Sequence, residues 1–477
     1  MKPHIRRGAV VSAVLAVALT VACTSLPPRT PPDPAHTAQV FAARRLDAAL
    51  PDLPPPAQGW NGEQWFQAAL ALNPELAEAR AAALAAAAGE VSAAERPNPT
   101  LNLFGEYVTA AAGGAGWLYG LSLDFLLPRS GERARARASA ALETQAAESD
   151  VAETLWQVRS HVQQALLDVA YAEDEATLLG KLVADREALL ASNRALAEAG
   201  AISRSETLVQ DLELARARQR LVRSRALGAD AEARLAAAVG VSVRALEGIP
   251  IKWDHWADID ALSPTPLMND SRAAALIGRP KLIRALREYD LADVALQSEV
   301  AKRWPQLHVS PGYAWDKSGL QQNTANDTLH DTLHDNELGV SLELPLFNRH
   351  QGPIGEALAR RERAGQHLQA VQAELFEEIE RAERAWPQAQ QAWQSASGAG
   401  QLAARQQSAE QRAFGAGASD RATLLVAQLA ATEAELSRLE AAYDAQVAFA
   451  ALESAYRRPL QGADATVAMS PRTRARP

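Results

Sequence analysis

Four short stretches of the chain alternate between apolar residues and small or polar ones. They cover residues 101–108, 119–125, 306–316 and 338–346, and one side of each carries mainly leucine, valine or aromatic residues. A period of two over about nine residues predicts a β-strand with one apolar and one polar face. The pattern suits a strand that crosses an outer membrane, and it also suits a soluble antiparallel sheet that packs on helices.

Helical stretches separate the strands, and two of them are very long. Residues 131–198 and 354–414 are rich in Ala, Glu, Arg and Gln, and at ~1.5 Å per residue each predicts a helix on the order of 90–100 Å long. Shorter single helices are predicted over 63–96 and 271–303. Pro387 lies inside the second long helix and predicts a kink, because the helical pattern resumes directly after it. Helices of this length indicate an extended, coiled-coil-like assembly.

The order of elements occurs twice, which predicts an internal duplication. Asn73-Pro74-Glu75-Leu76 recurs as Arg279-Pro280-Lys281-Leu282. Each copy is predicted as helix, strand, strand, very long helix, turn and helix. The predicted segments are a signal peptide at 1–22, a lipid anchor and proline-rich linker at 23–58, a first repeat at 59–240, a connector at 241–268, a second repeat at 269–460, and a disordered tail at 461–477.

The N-terminus has the pattern of a secretion signal. Lys2, Arg6 and Arg7 precede an apolar run from Gly8 to Ala22, which is too short for a comfortable membrane span. The linker that follows is rich in proline, so we expect it to be extended and semi-rigid.

Cys23 is the only cysteine in the chain. It ends the segment Leu19-Thr20-Val21-Ala22-Cys23, which resembles a bacterial lipoprotein box and so implies a covalent lipid on Cys23. The alternative is a free thiol after an ordinary cleavage site. Thr24 is not the aspartate that, by the same resemblance, would retain a lipoprotein at the inner membrane.

Export from the cytoplasm favours the membrane interpretation of the strands, as do aromatic residues at or near strand ends, where membrane girdles lie. These residues are Tyr119, Phe125, Tyr313 and Trp315. Four strands cannot close a barrel, which needs about eight, and an open edge in lipid leaves backbone groups unpaired. Several chains must therefore share one barrel, and three chains of four strands would give twelve strands. The predicted fold is mixed α and transmembrane β: four strands per chain in a shared barrel, which is trimeric and twelve-stranded by the family resemblance described below, and which long helices continue as an α-helical barrel.

Composition and motifs exclude several functions. The net charge is −9 and no segment is strongly basic, which argues against nucleic-acid binding. The chain has no phosphate-binding loop, no zinc-protease motif and no nucleophile–base–acid set, so we expect neither an enzyme nor a cofactor apart from the lipid.

From about Trp60 to Pro459 the chain resembles the TolC-type outer-membrane efflux family. The matching residues are the segment Ala69 to Leu76, the glycines Gly200 and Gly417, and the corner Leu344-Pro345-Leu346-Phe347-Asn348-Arg349. The resemblance implies a trimer in the outer membrane of a Gram-negative bacterium, with most of the chain in the periplasm. It also implies a periplasmic adaptor and an inner-membrane transporter as partners.

Short patterns around Pro97-Asn98-Pro99 and Asn348-Arg349-His350-Gln351-Gly352 resemble the heavy-metal-cation branch of that family. The expected function is a passive exit duct of an efflux pump, with metal cations as the leading substrate. The alternatives are a drug efflux duct, an exit duct for type I protein secretion, and a periplasmic coiled-coil scaffold without a pore.

Two turns between long helices are the candidate periplasmic tips, which by resemblance meet the adaptor. Their candidate residues are Gly200, Ser203, Gly415, Gly417 and Ser419. Glycine supplies a left-handed turn, and Ser203 or Ser419 is expected to cap the next helix. A plain helical hairpin would show the same residues.

Just beyond the tips, Glu206 and Thr423 occupy the place where the family narrows the closed entrance. A ring of three Glu206 carboxylates would favour cations, while an ordinary solvated charge is the alternative. His330 and His334 lie in a repeated Asp-Thr-Leu-His loop. We favour slippage in a tolerant loop there and predict no metal site.

Overall fold

The computed structural model describes residues 31, 33–50, 59–109, 115–251, 253, 256–262, 269–316 and 333–459. In chain order, the first elements are α1 (Pro34–Ala42), α2 (Leu46–Ala49), α3 (Gly62–Leu72), α4 (Pro74–Ala94), β1 (Thr100–Thr109), β2 (Ala115–Leu127), α5 (Glu132–Glu198) and α6 (Arg204–Val239). They are followed by α7 (Asn269–Ile277), α8 (Pro280–Ala301), β3 (Leu307–Asp316), β4 (Leu333–Leu342), α9 (Gln351–Gly415) and α10 (Arg421–Tyr456). The order of two helices, two strands, a long helix and a shorter helix therefore occurs twice, from α3 to α6 (the first half) and from α7 to α10 (the second half).

Each half begins with two helices where we predicted one. The predictions of single helices over 63–96 and 271–303 are wrong, because Pro74 and Pro280 begin new helices. Proline has no N–H for the preceding turn and is tolerated only in the first turn of a helix. At the first break the Asn73 side chain accepts a hydrogen bond from the Leu76 N–H at 3.0 Å, so this residue starts α4.

The four strands form one antiparallel sheet in the order β1-β2-β3-β4. Strand β4 ends at Leu342, so the predicted extension of that strand to Leu346 is wrong. Pro345 stands in the extension, and proline cannot donate to a strand ladder.

The long helices α5 and α9 contain 67 and 65 residues. At ~1.5 Å per residue each is about 100 Å long. Helix α9 continues past Pro387 without interruption and ends at Gly415. It begins at Gln351, three residues before the predicted start, so its first turn contains Pro353. Proline is tolerated there because the N–H groups of the first turn have no carbonyl partner within the helix. None of the described helices combines enough length with enough apolar character to cross a membrane.

The N-terminal segment is partly helical, which corrects the prediction that the whole linker is extended. Asp33 caps α1 at Pro34, and the stretch 35–50 contains no further proline to interrupt a helix. Leu46 is buried in one cluster with Trp60 and Trp65. The Arg44 guanidinium donates to the Gly240 carbonyl oxygen at 2.8 Å, so the segment is attached to the end of α6.

The connector between the halves packs beside the long helices. Trp256 and Ile259 are buried in one cluster with Ile379 and Trp386 of α9. The indole N–H of Trp256 donates to an Asp174 carboxylate oxygen on α5 at 2.9 Å. Connector side chains thus link the long helices of both halves.

Candidate functional site

The register of the sheet separates two chemically different faces. Leu103 pairs with Leu121 and Asn102 with Ser122. The alternation continues through β3 and the second half of β4, whereas Asn336 lies opposite Tyr313 on the apolar face. One face carries Leu101, Leu103, Tyr107, Trp117, Leu121, Leu123, Phe125, Leu338, Val340 and Leu342, which are 36–71 % exposed. The other face carries Phe104, Leu118 and Leu126 but is mainly polar, with Thr100, Asn102, Glu106, Ser122, Asp124, His308, Ser310, Glu337 and Ser341. The apolar face is thus open in the described part of the chain, where no helix packs on it as the alternative of a helix-covered sheet would require.

The two outer strands of the sheet have unpaired edges. Strands β1 and β4 each pair with one neighbour only, and they do not pair with each other in the part of the chain that the structure describes. Their outer backbone N–H and C=O groups can therefore pair with another chain.

Aromatic side chains cluster at the end of the sheet that is remote from the helices. The rings of Tyr119 and Trp315 stack with centroids 5.8 Å apart, and those of Tyr313 and Trp315 lie 4.8 Å apart. The Tyr107 and Trp117 rings lie 5.2 Å apart on the neighbouring pair of strands. Three of the four predicted girdle residues are therefore together.

A polar cluster lies at the opposite end of the sheet, on its polar face. Asp124 Oδ2 is 3.0 Å from His308 Nδ1, and the Ser310 hydroxyl donates to Asp124 Oδ1 at 2.7 Å. Sequence reasoning placed these residues on polar strand faces but missed their contact. The contact depends on the pairing of β2 with β3, which alternation alone does not reveal.

The first tip is built as predicted. Gly200 has a left-handed φ of 71°, and the Ala201 N–H donates to the Leu196 carbonyl oxygen at 2.9 Å, which closes α5 in a Schellman turn. Ser203 then caps α6, since its hydroxyl oxygen accepts from the Glu206 N–H at 3.4 Å.

The second tip has the same backbone turn and a different cap. Gly417 has a φ of 73°, while Gly415 is the last residue of α9. The cap of α10 is Asp420, whose carboxylate accepts from the Thr423 N–H at 2.7 Å, so the prediction that Ser419 caps this helix is wrong. The Ser419 hydroxyl instead donates to Glu410 at 3.0 Å. Hydrogen bonds from the backbone N–H and the side chain of Thr423 lower the pKa of Asp420.

Glu206 and Thr423 occupy equivalent places in the first turns of α6 and α10. Both side chains are exposed. The Glu206 carboxylate accepts a hydrogen bond from the Ser203 hydroxyl at 3.3 Å. Among the described residues, no hydrogen bond joins the Glu206 and Thr423 side chains within one chain.

Two residues of the sequence-predicted sites, Cys23 and His330, lie outside the described residues. The other loop histidine, His334, lies in β4 with its backbone opposite Trp315. Within the described ranges, no group of three or more His, Cys, Asp or Glu side chains could hold a metal ion.

An open four-stranded sheet joined to helices about 100 Å long is a fold shared with solved outer-membrane channels. The model of the outer membrane efflux protein family matches residues 65–241 and 272–456. The chain therefore belongs to the outer membrane efflux protein family. Membership confirms an outer-membrane efflux protein of the TolC type and confirms that the chain is not an enzyme.

Several solved structures share the fold. The outer-membrane channel OprN has a TM-score of 0.68 at 17% identity, with 91% of this chain and 99% of that chain covered. The open state of the MtrE outer membrane channel of Neisseria gonorrhoeae has a TM-score of 0.65 at 17% identity, with 83% of this chain and 88% of that chain covered. The outer membrane protein VceC of Vibrio cholerae has a TM-score of 0.63 at 16% identity, with 83% of this chain and 95% of that chain covered. No curated protein sequence matches the chain.

Proposed function

We propose that three copies of this chain form the exit duct of a tripartite efflux pump, which passes substrate passively from the periplasm to the outside. One observation carries the proposal: the sheet has an open apolar face, a polar opposite face and two unpaired edges. Leucine side chains such as Leu103 and Leu338, each 71 % exposed, are stable in lipid and costly in water. A periplasmic scaffold without a pore would expose this apolar surface to water, which is unfavourable.

Closure by three chains satisfies the backbone groups at both edges. If β4 of one chain pairs with β1 of the next, twelve strands close a barrel and no edge remains in the hydrocarbon. The polar face then lines a water-filled lumen, and α5 and α9 continue the wall as a periplasmic tunnel. Because the order of elements occurs twice, each chain would contribute two similar sectors of that wall.

The two tips are proposed to form the periplasmic entrance and to contact the adaptor, which would link the duct to an inner-membrane transporter. The exposed turns at Gly200 and Gly417 leave room for a partner, because an added Cβ at either glycine would meet nothing within 4 Å. Ser203, Gly415 and Ser419 belong to the same two turns. Three Glu206 carboxylates would narrow the entrance and favour cations.

The entrance can be tested through the charge of Glu206. We expect Glu206→Gln to lower cation selectivity in planar bilayers, while Thr423→Val at the equivalent place in the second tip leaves it unchanged. Identical single-channel records for wild type and Glu206→Gln would remove Glu206 from the constriction.

A lipid on Cys23 is proposed to anchor the mature N-terminus in the outer membrane. Mass spectrometry of the mature N-terminal peptide is expected to show the mass of a diacylglyceryl group on Cys23, which Cys23→Ser would abolish. A free thiol would show that the chain is not lipidated.

Metal cations are the proposed substrate class, supported by the sequence patterns at Pro97–Pro99 and Asn348–Gly352. A deletion strain should become sensitive to cobalt, zinc, cadmium or copper. Sensitivity confined to a drug panel would favour drug efflux, and loss of a large secreted protein would favour type I secretion.

The duct itself is tested with the purified full-length protein in detergent. We expect a heat-modifiable trimer that forms discrete ion channels in planar bilayers. A monomer that stays soluble without detergent, with no channel activity, would contradict the proposal.

A further inference from the structure

A histidine on the polar face of the sheet is held in one orientation by a carboxylate. Asp124 accepts from His308 Nδ1 at 3.0 Å and from the Ser310 hydroxyl at 2.7 Å. An ionised carboxylate can only accept hydrogen bonds, so the neutral imidazole carries its proton on Nδ1. Its other nitrogen, Nε2, then presents a lone pair, and no hydrogen bond from the described residues uses it.

This arrangement is the one that proteins use to prepare a histidine for a metal ion. A metal-binding histidine usually donates its second N–H to a carboxylate, which fixes the ring and raises the basicity of the ligating nitrogen. The His308 side chain is 38% exposed, so a cation in the surrounding water can reach it. Neutral imidazole suits zinc, copper, nickel and cobalt, whereas magnesium and calcium prefer oxygen.

The position of the pair is specific within the proposed duct. Asp124 lies three residues before the end of β2, and His308 is the second residue of β3. Both are thus at the end of the sheet that continues into the helices, on the face opposite the exposed leucines. In a trimer, three such histidines would form a ring where the helical tunnel opens into the barrel.

We propose that His308 is a lumen-facing contact point for late first-row transition-metal cations on their way out, with Asp124 as its positioning residue. The inference rests on the proposed duct and adds a site for the substrate class. A single imidazole per chain binds weakly, and weak binding suits a conduit because a cation must also leave. A tight resident site is not implied, since the described residues contain no group of three metal ligands.

The proposal is tested by metal block of the trimer in planar bilayers. Zinc chloride is expected to reduce the single-channel current of the wild type at concentrations where magnesium chloride does not. His308→Gln should abolish the difference between the two salts. Asp124→Asn, which keeps the ligand and weakens its positioning, should raise the half-blocking zinc concentration by about 10-fold or more.

Controls separate this site from other histidines and from the duct itself. His161→Gln, an exposed change on α5, should keep the zinc block, and each variant should remain a heat-modifiable trimer. Channels that respond alike to zinc and magnesium, or a His308→Gln variant that is still blocked, would overturn the site while leaving the duct intact. A protein that forms no channel at all would overturn both.

Discussion

In each half of the chain, the C-terminal end of the last helix packs against the N-terminal end of the second helix. We call this contact the corner of that half, and different residues form it in the two halves. In the first half, Gly240 ends α6 with a φ of 88°, and Asn73 before α4 donates to the Ala238 carbonyl oxygen at 2.8 Å. In the second half, Arg457 ends α10 with a φ of 45°. There Arg279 precedes α8 and donates to the carbonyl oxygens of Ser454 and Ala455 at 2.8 and 2.6 Å.

The difference shows two ways of holding a helix end against the start of another helix. At the first corner the two backbones approach closely, since a Cβ at Gly240 would lie 2.4 Å from the Leu72 carbonyl oxygen. The Asn73 side chain and Arg44, which lies outside this half, add hydrogen bonds to backbone carbonyl oxygens there. The second corner is closed by charge, since Arg279 is 1% exposed and forms an ion pair with Glu378.

Arg457 also connects the second corner to the other half. Its guanidinium forms an ion pair with Glu153 of α5 and lies 6.0 Å from the centre of the Trp156 ring. Burial, together with the neighbouring charge of Arg279, lowers the pKa of Arg457. The cost of burying that charge therefore offsets part of the gain from the ion pair.

The largest expected effect is that of Gly240→Ala. The added methyl group would overlap the Leu72 backbone, and the alanine would have to adopt a left-handed backbone conformation. We therefore expect the free energy of unfolding to fall by more than about 3 kcal/mol. Thermal unfolding followed by circular dichroism in detergent measures the change. Gly248→Ala is the matched control, because its φ is 77° and nothing lies within 4 Å, so it reports only the left-handed cost of about 1–2 kcal/mol. Equal melting temperatures for the two variants would contradict the backbone closure.

Arg279→Met is expected to be next, with a loss of about 2–4 kcal/mol. The change keeps most of the side-chain volume but leaves the Ser454 and Ala455 carbonyl oxygens without their donor. Lys281→Met, two residues further on in the first turn of α8, is the control. The Lys281 and Glu374 side chains of its ion pair are 39 and 60% exposed, so the pair contributes at most about 1 kcal/mol. If both variants melt alike, the buried arginine does not close the second corner.

Substitutions of Arg457 separate backbone strain from the ion pair. Arg457→Ala loses the ion pair and keeps the left-handed strain, whereas Arg457→Gly loses both. We therefore expect the alanine variant to be less stable than the glycine variant by about 1 kcal/mol. Denaturant unfolding of the two proteins measures this difference, and equal stabilities would show that the backbone at Arg457 is unstrained.

The smallest expected effect distinguishes the two tips by pH. The lowered pKa of Asp420 means that its stabilising contribution is present above the ordinary aspartate range, near 3.9, and is lost as the pH falls through the lower folded value. The Ser203 hydroxyl that caps α6 does not titrate, and the comparison is made in a Glu206→Gln background because the Glu206 carboxylate contacts that hydroxyl. Hydrogen exchange at the start of α10 should therefore accelerate in acid more than at the start of α6, after correction for intrinsic rates. Asp420→Asn should remove that pH dependence and keep the cap; an unchanged pH profile would contradict this account.

The sequence predicted the parts of the fold that depend on periodicity. Alternation located all four strands, and composition identified the two long helices, because burial or exposure of a whole face imposes a period on the sequence. The first half of β4, residues 333–337, was missed, because Asn336 breaks the alternation there. Local chemistry was predicted less well. Pro74, Pro280 and Pro345 interrupt elements that the hydrophobic pattern continues.

Side-chain contacts between distant elements could not be predicted. Ser419 and Asp420 are both good helix caps, and only the structure shows that Glu410 engages the serine. The Asp124–His308 pair likewise required the register of β2 with β3. The tip glycines were predictable, since a left-handed turn between two helices strongly favours glycine.

Disulfide trapping across the sheet edges tests the central claim most directly. Strands β1 and β4 lie at opposite edges of one four-stranded sheet, about 14 Å apart, so cysteines on the two cannot join within a chain. Asn102→Cys is combined in turn with Glu337→Cys, Gly339→Cys and Ser341→Cys, and oxidised outer membranes are analysed on non-reducing gels. A barrel shared by three chains predicts covalent dimers and trimers for at least one pair; monomers for every pair in correctly inserted protein would contradict it.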